Sequence, residues 1–86
     1  MKHIVIAFKS KNSLYSLQNY LKKINVKSEI INTPRSLSSS CGLSLKIALN
    51  YYRTILNVLK TTQNLNIIGC YLIEYLGFQE KIERIF

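Results

Sequence analysis

The residues best suited to chemistry lie between positions 33 and 42, in the stretch TPRSLSSSCG. It holds the only proline of the chain, five hydroxyl side chains, Arg35, Cys41 and Gly42, and no aliphatic periodicity runs through it. A cysteine among polar neighbours does different work from one in an apolar strand. Its thiolate is the nucleophile, and an exposed, electropositive setting favours that form. Arg35 and Lys46 flank Cys41 in sequence. Ser38, Ser39, Ser40 and Gly42 offer hydroxyls and backbone N–H groups of the kind that build an anion-holding concavity. The pattern suits exchange at sulfur, with Cys41 as the attacking residue and Arg35, Ser38, Ser39, Ser40, Gly42 and Lys46 as anion- or substrate-binding groups. Such exchange requires no general base, metal or cofactor.

The other reactive residue types fit this less well. Cys70 sits between Gly69 and Tyr71 in an apolar run and reads as an inert core thiol. His3 stands alone near the start, with no nucleophile beside it in sequence, and reads as structural. Two cysteines and one histidine cannot complete a four-ligand zinc site. The chain has four glutamates and no aspartate, none close to the loop in sequence, which argues against acid–base catalysis. At most the chain is a transfer carrier with a nucleophilic cysteine.

Six elements must position this loop. Residues 3–8, HIVIAF, form a β-branched and apolar strand, with Ile4, Ile6 and Phe8 on one face and His3, Val5 and Ala7 on the other. Ser10 offers an N-cap, and Leu14, Leu17, Leu21 and Ile24 follow at helical spacing, which predicts a helix over 11–24. Residues 28–33 form a short strand ended by Pro34. Residues 43–49 alternate between Leu43, Leu45, Ile47, Leu49 and Ser44, Lys46, Ala48, a half-buried strand. A helix over 50–62 carries Tyr52, Ile55, Leu56 and Leu59, and residues 66–73 form a fourth strand. The tail places Phe78, Ile82, Ile85 and Phe86 on one side of a short helix, with Glu80 and Arg84 at i,i+4 spacing. The order is that of a ferredoxin-like βαββαβ fold: an α+β domain over residues 1–75 with a four-stranded antiparallel sheet and two helices on one face, followed by a C-terminal amphipathic helix over 76–86. Traced through this topology, the Cys41 loop lies at the end of the sheet where the first helix starts, beside Lys9, Lys11 and the positive end of the helix dipole.

Composition sets the range of partners. Eighty-six residues make one domain. No apolar run approaches the ~18 residues that span a membrane, and residues 1–8 are too short for a secretory signal. A cytoplasmic setting with reduced thiols is expected. Twelve lysines and arginines against four acids give a net charge of +8, which suits anionic partners. In the RNA-recognition version of this fold, aromatics on the open sheet face stack bases. That face is expected to hold His3, Val5, Ala7, Ser44, Lys46 and Ala48, none of them Phe, Tyr or Trp. No sequence-specific nucleic-acid partner is therefore expected. A basic nucleic-acid- or protein-binding module without chemistry, or a homodimer pairing through exposed apolar surface, is the alternative to sulfur exchange.

Residues 33–46, TPRSLSSSCGLSLK, resemble the loop of a small bacterial family of selenium/sulfur carrier-like proteins. Those loops are of the type T/V-P-R-x-[IL]-S-S-x-C-G-[LI]-[AS]-[LI]-[RK], and a weaker resemblance extends over residues 3–73. The resemblance implies a carrier domain that accepts and hands on sulfur or selenium, as a persulfide or selenopersulfide, on Cys41. It implies a persulfide- or selenide-donor enzyme and an acceptor protein as partners. Two positions depart from the family pattern. Ser36 stands where an acidic residue is common, and Lys46 where arginine is common, which keeps the charge and loses the bidentate fork.

Overall fold

A computed structural model describes residues 2–37, 41–61 and 67–86. Five strands and two helices follow the order β1 (Lys2–Phe8), α1 (Lys11–Lys23), β2 (Ser28–Asn32), β3 (Leu43–Ala48), α2 (Tyr52–Thr61), β4 (Ile67–Leu76) and β5 (Gln79–Arg84), with a 3₁₀ turn at Leu49–Tyr51 leading into α2. The architecture is α+β. One antiparallel sheet has strand order β2-β3-β1-β4-β5.

Local chemistry sets the ends of α1. Ser10 accepts from the Ser13 N–H through its hydroxyl at 3.3 Å, which satisfies one of the helix's unpaired donors. At the other end Asn25 takes φ 62°. The Asn25 N–H reaches Lys22 O at 3.1 Å and the Val26 N–H reaches Leu21 O at 2.8 Å. This is the Schellman ending, with its usual apolar contact partners Val26 and Leu21 both buried. The chain then turns straight into β2.

The core joins both helices to one face of the sheet. Ile4, Ile6 and Phe8 of β1, Leu45 and Ile47 of β3 and Cys70 of β4 pack with Leu14, Leu17 and Leu21 of α1 and with Ile55, Val58 and Leu59 of α2. All of these strand residues share one parity in the register, so both helices cover the same face.

The structure corrects three expectations. The tail is not a helix. It is the strand β5, paired with β4 from Leu76↔Gln79 to Tyr71↔Arg84, so the sheet has five strands rather than four. Glu80 and Arg84, expected to pair, bond elsewhere: Glu80 accepts from Ser36, and Arg84 donates to Phe86 O and Ile68 O. The helical stripe of α2 is also shifted. The 3₁₀ turn takes up the first residues of the predicted helix, and the buried positions become Ile55, Val58 and Leu59, with Leu56 only half-buried. Finally, the second face of the sheet is not open. Val5, Ala7, Ser44 and Ile73 are fully buried on it, and His3 nearly so.

That closure comes from the two edges of the sheet. Ser36, in the loop after edge strand β2, donates to Glu80 Oε1 of the opposite edge strand β5 at 2.7 Å. Tyr75, which pairs with Glu80 in the β4–β5 ladder, stacks on His3 with ring centroids 5.4 Å apart and planes at 28°. The loop and the β4–β5 hairpin thus meet over the second face. No helix among the described residues is long and apolar enough to cross a membrane.

Candidate functional site

The loop between β2 and β3 is held at its base. Beyond the last ladder pair, Asn32↔Leu43, the Thr33 N–H bonds Gly42 O at 2.9 Å, and the Leu37 N–H bonds Pro34 O at 2.9 Å. The Thr33 and Ser44 hydroxyls meet at 2.7 Å, which satisfies the fully buried Ser44 side chain. Gly42 takes φ +75°, and a Cβ there would meet nothing within 4 Å. Glycine is needed at this position for its backbone conformation rather than for space.

Cys41 stands at the end of the sheet where α1 begins. Its Sγ lies 3.4 Å from Phe8 O, at the end of β1, and 3.4 Å from Leu43 O, at the start of β3. The thiol has one proton and donates it to one carbonyl at a time. The side chain is half-buried and leans on the core. The first turn of α1 contains no acidic residue; Lys9 and Lys11, at its start, are exposed. The positive end of the helix dipole therefore lies at this end of the sheet without a counter-charge in that turn.

The remaining site candidates fall in different places. Arg35 is exposed in the same loop. Ser38, Ser39 and Ser40 lie outside the described residues. Lys46 does not share the Cys41 environment. Its side chain is on the second face, in a ladder row with Glu29, Val5 and Tyr71, whereas Cys41 packs toward the helix face. Lys46 lines a cleft of about 410 Å³ with His3, Lys27, Ser28, Glu29, Ala48, Asn50 and Tyr51.

The two cysteines are not joined in a disulfide. Cys70 is wholly buried on the helix face, and that burial pushes its thiol up to about 12. It is held as a neutral thiol in the core. His3 moves the other way: burial lowers its pKa, the neighbouring Lys46 lowers it further, and Glu80 partly offsets both. Sequence reasoning set His3 aside. The signal that singles it out is tertiary, because the β4–β5 hairpin brings Tyr75 and Glu80 to it.

A family model described as "Putative Se/S carrier protein-like" matches residues 3–72. That span takes in β1 through most of β4, including the whole Cys41 loop. No curated protein and no solved structure matches the chain.

Proposed function

The chain belongs to the Se/S carrier protein-like family, and from that premise we propose that Cys41 carries a sulfur or selenium atom between a donor and an acceptor protein. The observation that carries this reading is the contrast between the two thiols. Cys41 is half-exposed in a loop at the α1 end of the sheet, and Cys70 is sealed in the core.

In the proposed step the Cys41 thiolate attacks the outer sulfur of a donor persulfide, R–S–SH. A bond forms between Cys41 Sγ and that sulfur, the donor S–S bond breaks, and R–S⁻ leaves. The product is Cys41–S–SH, and no outside oxidant or reductant is consumed. Handing on repeats the exchange, with an acceptor thiolate as attacker. Selenium transfer from a selenopersulfide follows the same balance. Arg35 and the N–H groups around Gly42 would steady the persulfide anion, as would Ser38, Ser39 and Ser40. Lys46, expected from the sequence to share this role, lies on the other face of the sheet and is left out of the step. With Cys70 buried, no second accessible cysteine among the described residues resolves Cys41 into a disulfide, which supports a carrier over a dithiol oxidoreductase. A reducing, cytoplasmic setting belongs to this reading.

The test is intact-mass analysis after incubation with a low-molecular-weight persulfide and removal of excess reagent. A gain of about 32 mass units that maps to Cys41, is lost in Cys41→Ser and is retained in Cys70→Ala is the expected result. An unmodified Cys41, or a gain that follows Cys70, would overturn the reading.

A further inference from the structure

Strand β5 is an edge of the sheet, since β4 alone pairs with it among the described residues. An edge strand presents unpaired N–H and C=O groups to whatever lies beside it. Which residues present them follows from the hairpin. A two-residue connection is closed by a narrow pair, whose two residues bond each other. Leu76↔Gln79 is therefore narrow, and narrow pairs recur at every second residue, Glu74↔Lys81 and Leu72↔Glu83. The Ile85 N–H, which reaches Cys70 O at 2.9 Å, continues the same alternation. Gln79, Lys81 and Glu83 thus bond inward to β4, and the backbone groups of Glu80, Ile82 and Arg84 point outward.

The side chains along this edge form their own complement. The stretch 78–86 is FQEKIERIF. Reversed about Ile82, it sets Glu80 against Arg84, Lys81 against Glu83 and Ile82 against itself, with Phe78 and Phe86 at the ends. The backbone selects the same alignment. Outward groups bond only outward groups, so when two such edges pair antiparallel the two-fold axis passes through a residue rather than between two. An axis at Glu80, Lys81, Glu83 or Arg84 sets that charge against its own copy, and like charges directly opposite are destabilising. Among residues 80–84, only Ile82 opposes itself without charge. With the axis there, Ile82 bonds Ile82 of the second copy, and Glu80 and Arg84 bond each other across the axis, so every outward group is used. Lys81 and Glu83 are exposed, and no ion pair among the described residues engages either. Phe78, wholly exposed at the hairpin tip, is carried to the end of the second copy's β5.

We propose that two copies of this chain pair through β5, antiparallel about a two-fold axis at Ile82, and join their sheets into one. The interface is isologous and small, so the dimer forms in a concentration-dependent way. The axis stands normal to the sheet. It keeps the helices of both copies on one face and sends the two Cys41 loops to opposite ends. The pairing therefore does not rest on sulfur transfer, and it leaves Cys41 open in each copy.

Sedimentation velocity of the full chain under reductant, from micromolar to millimolar concentration and at low salt, tests this. A monomer–dimer equilibrium is expected, unchanged in Cys41→Ser. Lys81→Glu sets two acids opposite each other and Glu83→Lys two bases. Each should weaken the dimer about tenfold, and the double variant Lys81→Glu/Glu83→Lys should recover it. Ile82→Pro removes the N–H on the axis without breaking a ladder bond to β4, and should abolish the dimer. Circular dichroism checks that it folds; if it does not, the charge variants decide. Amide exchange reports the register: the Glu80, Ile82 and Arg84 amides should slow as concentration rises, whereas Lys81 and Glu83, bonded to β4, should not change. The proposal is overturned if the chain stays monomeric to millimolar concentration, or if the dimer ignores both single reversals. It is overturned equally if the double variant is no stronger than the singles, or if the outward amides exchange no more slowly in the dimer. Assembly beyond the dimer, which β5 paired with a second copy's β2 would give, also overturns it.

Discussion

At the scale of single residues, the two cysteines make opposite predictions. Cys41 should react with iodoacetamide in the native protein at pH 8 far faster than Cys70, since one is half-exposed and the other wholly buried. Peptide mapping after timed quenching measures both rates; equal rates would remove the basis for choosing Cys41. Burial that raises Cys70 from 9.0 to about 12 also links stability to pH. Above pH 9.0 the unfolded thiol ionises and the folded one does not, so this contribution is complete below pH 9.0 and is lost as pH climbs toward 12. His3 acts at the acid end. Its folded pKa lies below the ordinary 6.5, so the unfolded chain binds the proton first and stability falls as pH drops below 6.5. Denaturant midpoints between pH 8 and pH 5 should show that loss in the wild type, and His3→Gln should flatten it. An equal slope in both proteins would assign the acid sensitivity to other groups. The loop cysteine was legible in the sequence because its neighbours are polar, and Cys70 because its neighbours are not. His3 was not legible, because its stacking partner and its facing charges come from residues more than forty positions away.

At the scale of elements, the tail shows where periodicity fails. Phe78, Ile82, Ile85 and Phe86 fit one side of a helix, but Ile82 and Ile85 fit two faces of a strand equally well. Ile82 pairs with Ile73 on the second face, and Ile85 packs on the core. The deciding residue is Gly77. It forms with Phe78 the two-residue connection between Leu76 and Gln79, and it alone of the pair has positive φ, 62°, the pattern of a type II′ hairpin. Gly77→Ala has space for its methyl group yet should cost roughly 1–2 kcal/mol through backbone strain. Chemical denaturation would measure it, and a neutral substitution would mean that the turn relaxes to another type. The strand β3 carries a paired prediction. Leu45→Ala should lose roughly 2–5 kcal/mol from the core. Ser44→Ala, harmless on an open face, should instead cost about 1 kcal/mol, because Ser44 is buried and bonded to Thr33. A silent Ser44→Ala would mean that the Thr33 hydroxyl finds another partner at no cost. By contrast, β1, α1 and β2 were legible almost to the residue, since the apolar spacing of β1 and α1 is strong, Ser10 marks the start of α1 and Pro34 ends β2.

At the scale of the whole molecule, the closed second face decides how the net charge of +8 can be used. A sheet that reads bases offers aromatic rings on an open surface. Here the face does carry Tyr71 and Tyr75, from β4, but neither is presented in that way. The Tyr71 ring lies so close over Gly69 that a Cβ there would be 2.8 Å from its hydroxyl, and Tyr75 is stacked on His3. The centre of the face, Val5, Ala7 and Ile73, is sealed. Cations remain, dispersed along the chain rather than gathered in a run. Binding to single-stranded RNA should therefore be electrostatic alone: weak, indifferent to sequence, and falling steeply with salt, with log K declining against log[salt] by roughly 0.7 for each phosphate neutralised. Fluorescence anisotropy with poly-U and mixed-sequence oligonucleotides at two or more salt concentrations separates the cases. If binding survives high salt and prefers one sequence, bases must reach aromatic rings, which requires the Ser36–Glu80 contact to open and the hairpin to lift from His3. Ser36→Ala, which removes that contact, should then strengthen the salt-resistant binding. If binding is only electrostatic, Ser36→Ala should leave it unchanged, because the substitution alters no charge.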